Sequence, residues 1–195
     1  MGRNKIKNNK AVFLDRDGVI NKNIFYDDTN EWESPRDILD FNIYKDAINS
    51  LKILQENNYQ LFIVTNQPSY AKGKTSLEKL NKIIDHANNI FKDNSVKIQK
   101  TYCSFKHKDS IYKDYKTPCN YRKPNIGALL DAEMNFNIDL KKSWMVGDRE
   151  TDIQCGKKAG TKTIKINLNN DSYSNEADFN VNDIEEACEI IISKN

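Results

Sequence analysis

The sequence predicts a doubly wound, mainly parallel, Rossmann-like α/β sheet without a large cap domain, and three observations carry that prediction. Short apolar runs at 12–14, 61–64 and 144–146 each end in a polar or acidic residue, as buried parallel strands do when they deliver side chains to one edge of a sheet. Segments with apolar residues at helical spacing separate those runs. Strand-like and helical stretches then alternate to the end of the chain, with no repeat and no Pro-, Gly- or Ser-rich linker between them.

Taken in order, Val12-Phe13-Leu14 reads as a central strand, Asp15 stands where it ends, and Gly18 supplies a sharp turn. Two acids at a strand end, Asp15 and Asp17, repel each other unless a cation or proton lies between them. Residues 21–40 read as a long polar loop. Tyr44, Ala47, Ile48, Leu51 and Leu54 give an amphipathic helix ending near Asn57-Asn58. The strand at 61–64 delivers Thr65, Asn66 and Gln67. Thr75 is expected to cap the next helix in a capping box with Glu78, with Leu77, Leu80, Ile83, Ile84, Ala87 and Ile90 on its buried face and His86 beside it. A weaker strand spans 96–103, and 105–121 reads as a polar loop. Pro124 suits the first turn of a helix whose face is Ile126, Leu129, Leu130 and Met134. The strand at 143–147 delivers Asp148; a helix over 150–159 stops at Gly160; Thr163, Ile164 and Ile166 form a fifth strand. Asn182-Asp183-Ile184-Glu185 opens a last helix burying Ile184, Ala187, Cys188 and Ile191.

The 195 residues suit one domain spanning 1–195. Charged residues make up 30% yet cancel to +2, which leaves no broad field for nucleic acid. Arg3, Lys5, Lys7 and Lys10 form a basic arm, of which 1–9 is expected to fray. The start lacks the apolar segment of a secretory signal, and no run approaches the ~18 apolar residues that span a bilayer. Four cysteines are too few for a disulfide framework. These features point to a cytoplasmic protein with neither membrane nor nucleic-acid partner, and a monomer is expected.

The residues at these strand ends and at the helix start marked by Lys123 suit phosphate-ester hydrolysis. That reaction needs an oxygen nucleophile, a proton donor for the departing alkoxide and positive charge on the phosphoryl oxygens. Asp15, Asp17, Thr65, Lys123 and Asp148 supply these groups. A hard divalent cation with oxygen ligands, such as Mg²⁺ on Asp15 and Asp148, would relieve the repulsion between carboxylate and phosphate.

Asp15-Arg16-Asp17-Gly18-Val19-Ile20-Asn21 resembles the first motif of the haloacid dehalogenase (HAD) superfamily, in the form found in its histidinol-phosphate and heptose-bisphosphate phosphatases. Thr65 matches the second motif, Lys123 in Arg122-Lys123-Pro124 the third, and Gly147-Asp148-Arg149-Glu150-Thr151-Asp152 the fourth. The resemblance implies that Asp15 becomes an aspartyl-phosphate and that Asp17 protonates the leaving group and later activates water. It implies Mg²⁺ held by Asp15, the backbone carbonyl of Asp17 and Asp148, with Asp152 behind them, and a phosphoryl group bound by Thr65 and Lys123. The substrate it implies is a small phosphorylated metabolite, foremost a sugar phosphate such as heptose 1,7-bisphosphate.

The sequence departs from the family pattern in two places. The Cys-x-His and Cys-x-Cys pairs of the family's zinc loop are reduced to Cys103, His107 and Cys119, short of the four ligands of a structural zinc; zinc is not expected. The substrate loop after Thr65 reads Asn66-Gln67-Pro68-Ser69-Tyr70-Ala71-Lys72-Gly73, with Lys72 in place of an Arg and its bidentate fork. Asn66, Gln67, Lys72 and Arg122 remain the candidate substrate contacts. The alternatives are histidinol phosphate as substrate, a nucleic-acid 3′-phosphatase, which the near-neutral charge disfavours, and an inactive sugar-phosphate-binding protein, which the altered loop would suit. With cap-sized inserts absent, loops alone are expected to roof the site.

Overall fold

Six parallel strands carry the apolar runs in the computed structural model of the chain, which describes residues 9–168 and 173–194. In chain order the elements are β1 (Lys10–Leu14), β2 (Ile24–Tyr26), β3 (Glu31–Glu33), α1 (Ala47–Glu56), β4 (Tyr59–Asn66), α2 (Leu77–Asp93), β5 (Ile98–Ser104), α3 (Gly127–Phe136), β6 (Trp144–Gly147), α4 (Glu150–Ala159), β7 (Lys162–Ile166), β8 (Phe179–Val181) and α5 (Ile184–Ser193). The sheet order is β5-β4-β1-β6-β7-β8, every neighbour parallel. The chain winds outward from β1 through β4 to β5, then returns to β6 on the other side of β1. The crevice beyond the ends of β1, β4 and β6 is therefore a topological switch point, where open α/β sheets bind ligands.

Alternation along the strands splits the core in two. Val12, Leu14, Leu61, Ile63 and Val146 face α1, α2 and α5, while Ala11, Phe13, Phe62, Val64 and Met145 face α3 and α4. Helices on both faces make the winding double. Val12, Phe13 and Leu14 are fully buried, each contributing about 1.5–3 kcal/mol through burial. Among the described residues, no helix is long and apolar enough to cross a membrane.

Several local expectations change. Residues 21–40 are not irregular: β2 and β3 pair as an antiparallel hairpin, followed by a 3₁₀ turn at Ile38–Asp40. The hairpin has little apolar patterning, and a charge network around Arg36 holds it together instead. Ser76, not Thr75, caps α2, its hydroxyl accepting from the Lys79 N–H, while Thr75 donates to the Arg36 carbonyl. Pro124 precedes α3 rather than sitting in its first turn, because 122–126 curl under Asn120 before the helix begins at Gly127. In α3 Ala128, Leu129 and Ala132 are the buried residues, packed on Phe13, Phe62 and Met145, while Leu130 and Met134, expected on that face, are exposed. β8 escaped the sequence reading, being only three residues long. The basic arm up to residue 8 lies outside the described residues; Asn9, expected to fray with it, is held by backbone bonds to Asn137 and Asp139.

Candidate active site

Asp15 follows β1 directly and is pinned there by its N–H, which donates to the Val146 carbonyl at 2.9 Å. Its Oδ1 lies 2.9 Å from Lys123 Nζ and accepts from the Arg16 N–H. Lys123 Nζ also lies 2.6 Å from Asp152 Oδ1, and Asp152 caps α4 by accepting from the Arg149 N–H at 3.0 Å. One ammonium thus bridges two carboxylates in a site that water barely reaches. Asn66 holds this lysine by its backbone: its side chain accepts from the Lys123 N–H and donates to the Lys123 carbonyl, both at 3.1 Å. Two residues about sixty positions apart in sequence are joined in this way.

Asp148 follows β6 as Asp15 follows β1. Oxygens of Asp15, Asp148 and Asp152, all buried, lie within 4.8 Å of one another. Burial is the main force on the first two: it pushes Asp15 up to about 6 despite Lys123, and Asp148, with Asp15 and Asp152 beside it, up to about 8. For Lys123 burial opposes the charged form, but Asp15 and Asp152 outweigh it and its pKa rises.

These residues fit a hard cation. Asp148 Oδ1 is buried with no hydrogen-bond partner, the donors are all oxygen, and hard ions such as Mg²⁺ prefer such sets. Gly18, at φ +82°, passes so close that a Cβ there would fall 2.3 Å from Asp148 Oδ2. The turn must therefore be glycine for Asp148 to stand where it does.

Asp17 is engaged differently. Arg16 pairs with it through Nη2 at 2.9 Å and Nε at 3.1 Å, Asn21 donates at 2.9 Å, and Gln67 and Ser34 also bond to it. Burial disfavours the anion, yet these partners win and hold Asp17 below the usual carboxylate range. Its side chain is not part of the group formed by Asp15, Asp148 and Asp152.

The remaining candidates divide. Asn66, Lys72 and Arg122 line the cleft with Asp15, Asp17 and Lys123, and so do Trp32, Glu33 and Ser34 of the hairpin and Arg149. Gln67 is fully buried and donates to Asp17 and to Thr65 Oγ1, so it supports the site from below and does not line the cleft. Thr65 is buried at the end of β4. Cys103, His107 and Cys119 are not gathered: among the described residues the three aspartates are the only such group of potential metal ligands. All four thiols are free, and His107 Nδ1 accepts from the Asp109 N–H.

Sequence reasoning missed Arg16, Ser34, Trp32 and Arg149. Arg16 sits between the two motif acids and is 1% exposed; a charged residue inside a buried turn was the available signal. The roof is also more than loops, since the hairpin forms one wall of the cleft. The loop after Thr65 lines the other side through Pro68, Ser69 and Lys72, and the loop at 105–121 packs on that loop, with Tyr70 stacked on Tyr112 at 4.6 Å and the Ile111 N–H donating to the Ala71 carbonyl.

The architecture recurs in solved structures. The structure of D,D-heptose 1,7-bisphosphate phosphatase from B. bronchiseptica, complexed with magnesium and phosphate, superposes with a TM-score of 0.75 at 19% identity, covering 95% of this chain and 99% of that one. The HAD-hydrolase-like family model matches residues 120–187. A D-glycero-alpha-D-manno-heptose-1,7-bisphosphate 7-phosphatase of Photorhabdus laumondii is 34% identical over 82% of this chain and 81% of its own. A D-glycero-beta-D-manno-heptose-1,7-bisphosphate 7-phosphatase of Vibrio cholerae is 36% identical over 78% of each. The chain belongs to the HAD-like hydrolases, in the phosphatase family these relatives define. It is a phosphoric monoester hydrolase.

Proposed function

We propose that the enzyme hydrolyses the phosphomonoester of a small sugar phosphate, with heptose 1,7-bisphosphate, the compound for which its relatives are named, as the leading candidate. The observation that carries this reading is the buried Asp15–Lys123–Asp152 bridge beside Asp148 at the switch point. In the mechanism we propose, a carboxylate oxygen of Asp15 attacks phosphorus, the ester P–O bond breaks, and an aspartyl-phosphate forms. Lys123 and Thr65 hold phosphoryl oxygens, and Lys123 keeps Asp15 ionised and aimed. Asp17 gives the departing alkoxide a proton, then takes one from a water that attacks phosphorus, so that the Asp15 O–P bond breaks, inorganic phosphate leaves and the Asp15 carboxylate is restored. The cage around Asp17 favours its anion, so the second half, as base, is the part that the resting geometry best supports.

Mg²⁺ is the proposed cofactor, held by Asp15, Asp148 and the Asp17 carbonyl with Asp152 behind; when bound it neutralises charge between the carboxylate and the phosphoryl group. Asn66, Lys72 and Arg122 are the proposed substrate contacts, and Arg149 joins them. We further propose that the chain acts as a single domain, as a monomer, in the cytoplasm.

Purified enzyme should release phosphate from heptose 1,7-bisphosphate faster than from histidinol phosphate or a 3′-phosphorylated oligonucleotide. Turnover should stop with EDTA and return with Mg²⁺. Asp15→Asn should lose at least about a thousandfold in rate; full turnover by that variant would reject Asp15 as nucleophile.

A further inference from the structure

The hairpin brings to the cleft an aromatic residue that the hydrolytic chemistry does not use. Trp32 is 59% exposed and lines the cleft that opens on Asp15 and Lys123. Phe25, its partner across the hairpin, meets it in an edge-to-face arrangement at 5.6 Å, and more than half of the Trp32 surface stays open. A large ring left half in water at the mouth of an otherwise polar cleft gains on contact with an apolar surface.

The arm that carries Trp32 is braced. The Arg36 guanidinium lies 4.0 Å over the Tyr26 ring and pairs with Asp28 and Glu33. Tyr26 donates to Asp40 at 2.6 Å, and Lys74, from the opposite wall, pairs with Glu33. Two positions past Trp32, Ser34 bonds to Asp17. The strand that carries the indole is therefore tied to the opposite wall and, through Ser34, to Asp17. Glu31, Asn66 and Lys72 line the same cleft and offer acceptors and donors around that ring.

An aromatic face with polar groups at its rim suits a sugar ring, whose C–H face is apolar and whose hydroxyls point outward. An open-chain alcohol presents no such face. We propose that Trp32 is a specificity-determining residue that stacks on the ring of the leaving group and makes the enzyme prefer cyclic sugar phosphates to acyclic ones. This rests on the phosphatase reading of the site.

The test compares kcat and KM of the wild type, Trp32→Ala and Trp32→Phe on heptose 1,7-bisphosphate and on glycerol 3-phosphate, with Mg²⁺. An aromatic stacking contact is worth about 0.5–1.5 kcal/mol, so Trp32→Ala should raise KM for the ring substrate by about two- to twelvefold. Its kcat should stay within about twofold, the acyclic substrate should be unaffected, and Trp32→Phe should recover most of the loss. An equal change on both substrates, or none on either, overturns the proposal. Because Trp32 is exposed, the variants should melt with the wild type, and a shared loss of Tm would mark a folding effect instead of a stacking one. A second readout needs no turnover. Trp144 is buried and Trp32 is the other tryptophan, so acrylamide quenching reports Trp32. With EDTA present, the ring sugar phosphate should shield it and glycerol 3-phosphate should not. If the wild type cleaves neither substrate, the proposed sugar-phosphate substrate fails; shielding by the ring compound would then still support stacking, and its absence would overturn it.

Discussion

Lys123 shows at the residue scale how burial turns a common side chain into a specific one. Between Asp15 and Asp152 it neutralises charge that would otherwise be buried unpaired, and breaking such a pair from one side costs about 3–5 kcal/mol. Lys123→Met should therefore both abolish measurable turnover and lower Tm, whereas Asp15→Asn, which leaves Asp152 as partner, should cost activity far more than stability. The acids make a second prediction. A carboxyl whose folded pKa is raised stabilises the fold fully below its unfolded value, near pH 4, and loses that contribution as pH rises through the folded value. With Asp15 at about 6 and Asp148 at about 8, the metal-free protein should melt at progressively lower temperature between pH 5 and 8.5. Mg²⁺ should restore Tm strongly at pH 8 and little at pH 5. A flat metal-free profile would contradict the raised acids. Gly18→Ala should weaken that Mg²⁺ effect, since its Cβ would collide with Asp148.

At the scale of elements, the hairpin β2–β3 is held by a charge network centred on Arg36, with Lys74 pairing to it from the opposite wall. Arg36 meets Tyr26, Asp28 and Glu33 and its carbonyl accepts from Thr75. Arg36→Ala should loosen the wall that carries Trp32 and Ser34 and lower kcat/KM by about tenfold, with a Tm loss of only a few degrees, as both hairpin strands lie outside the main sheet. Limited proteolysis near residues 27–30 should quicken in step. The cap of α2 offers a cleaner comparison. Ser76→Ala should cost about 1 kcal/mol of stability without touching turnover. Thr75→Ala, losing its bond to the Arg36 carbonyl, should act on the hairpin and hence on activity. The opposite pattern would return the cap to Thr75.

The whole molecule places its chemistry by winding. β1 lies between β4 and β6, so the ends of three strands reach one crevice, and Asp15, Thr65 and Asp148 arrive together although 133 positions separate the first from the last. Leu14→Ala, which removes a fully buried side chain one residue before the nucleophile, should cost about 2–5 kcal/mol and be read in a urea melt.

What the chain alone determined were the features written in local pattern: apolar runs that stop at an acid, helical spacing between them, and motif residues at their junctions. These marked the central strands, the double winding and the polar side chains of Asp15, Asp17, Lys123 and Asp148, because burial and strand alternation are legible one segment at a time. Only the tertiary structure decided that Gln67 supports from below, that Asp152 shares Lys123 with Asp15, that Arg16 turns inward to Asp17, and that 24–33 folds into a wall bearing Trp32. Each of those outcomes depends on polar groups enclosed together in the folded crevice. Their energies arise when water is excluded from the crevice, and no run of neighbouring residues carries that information.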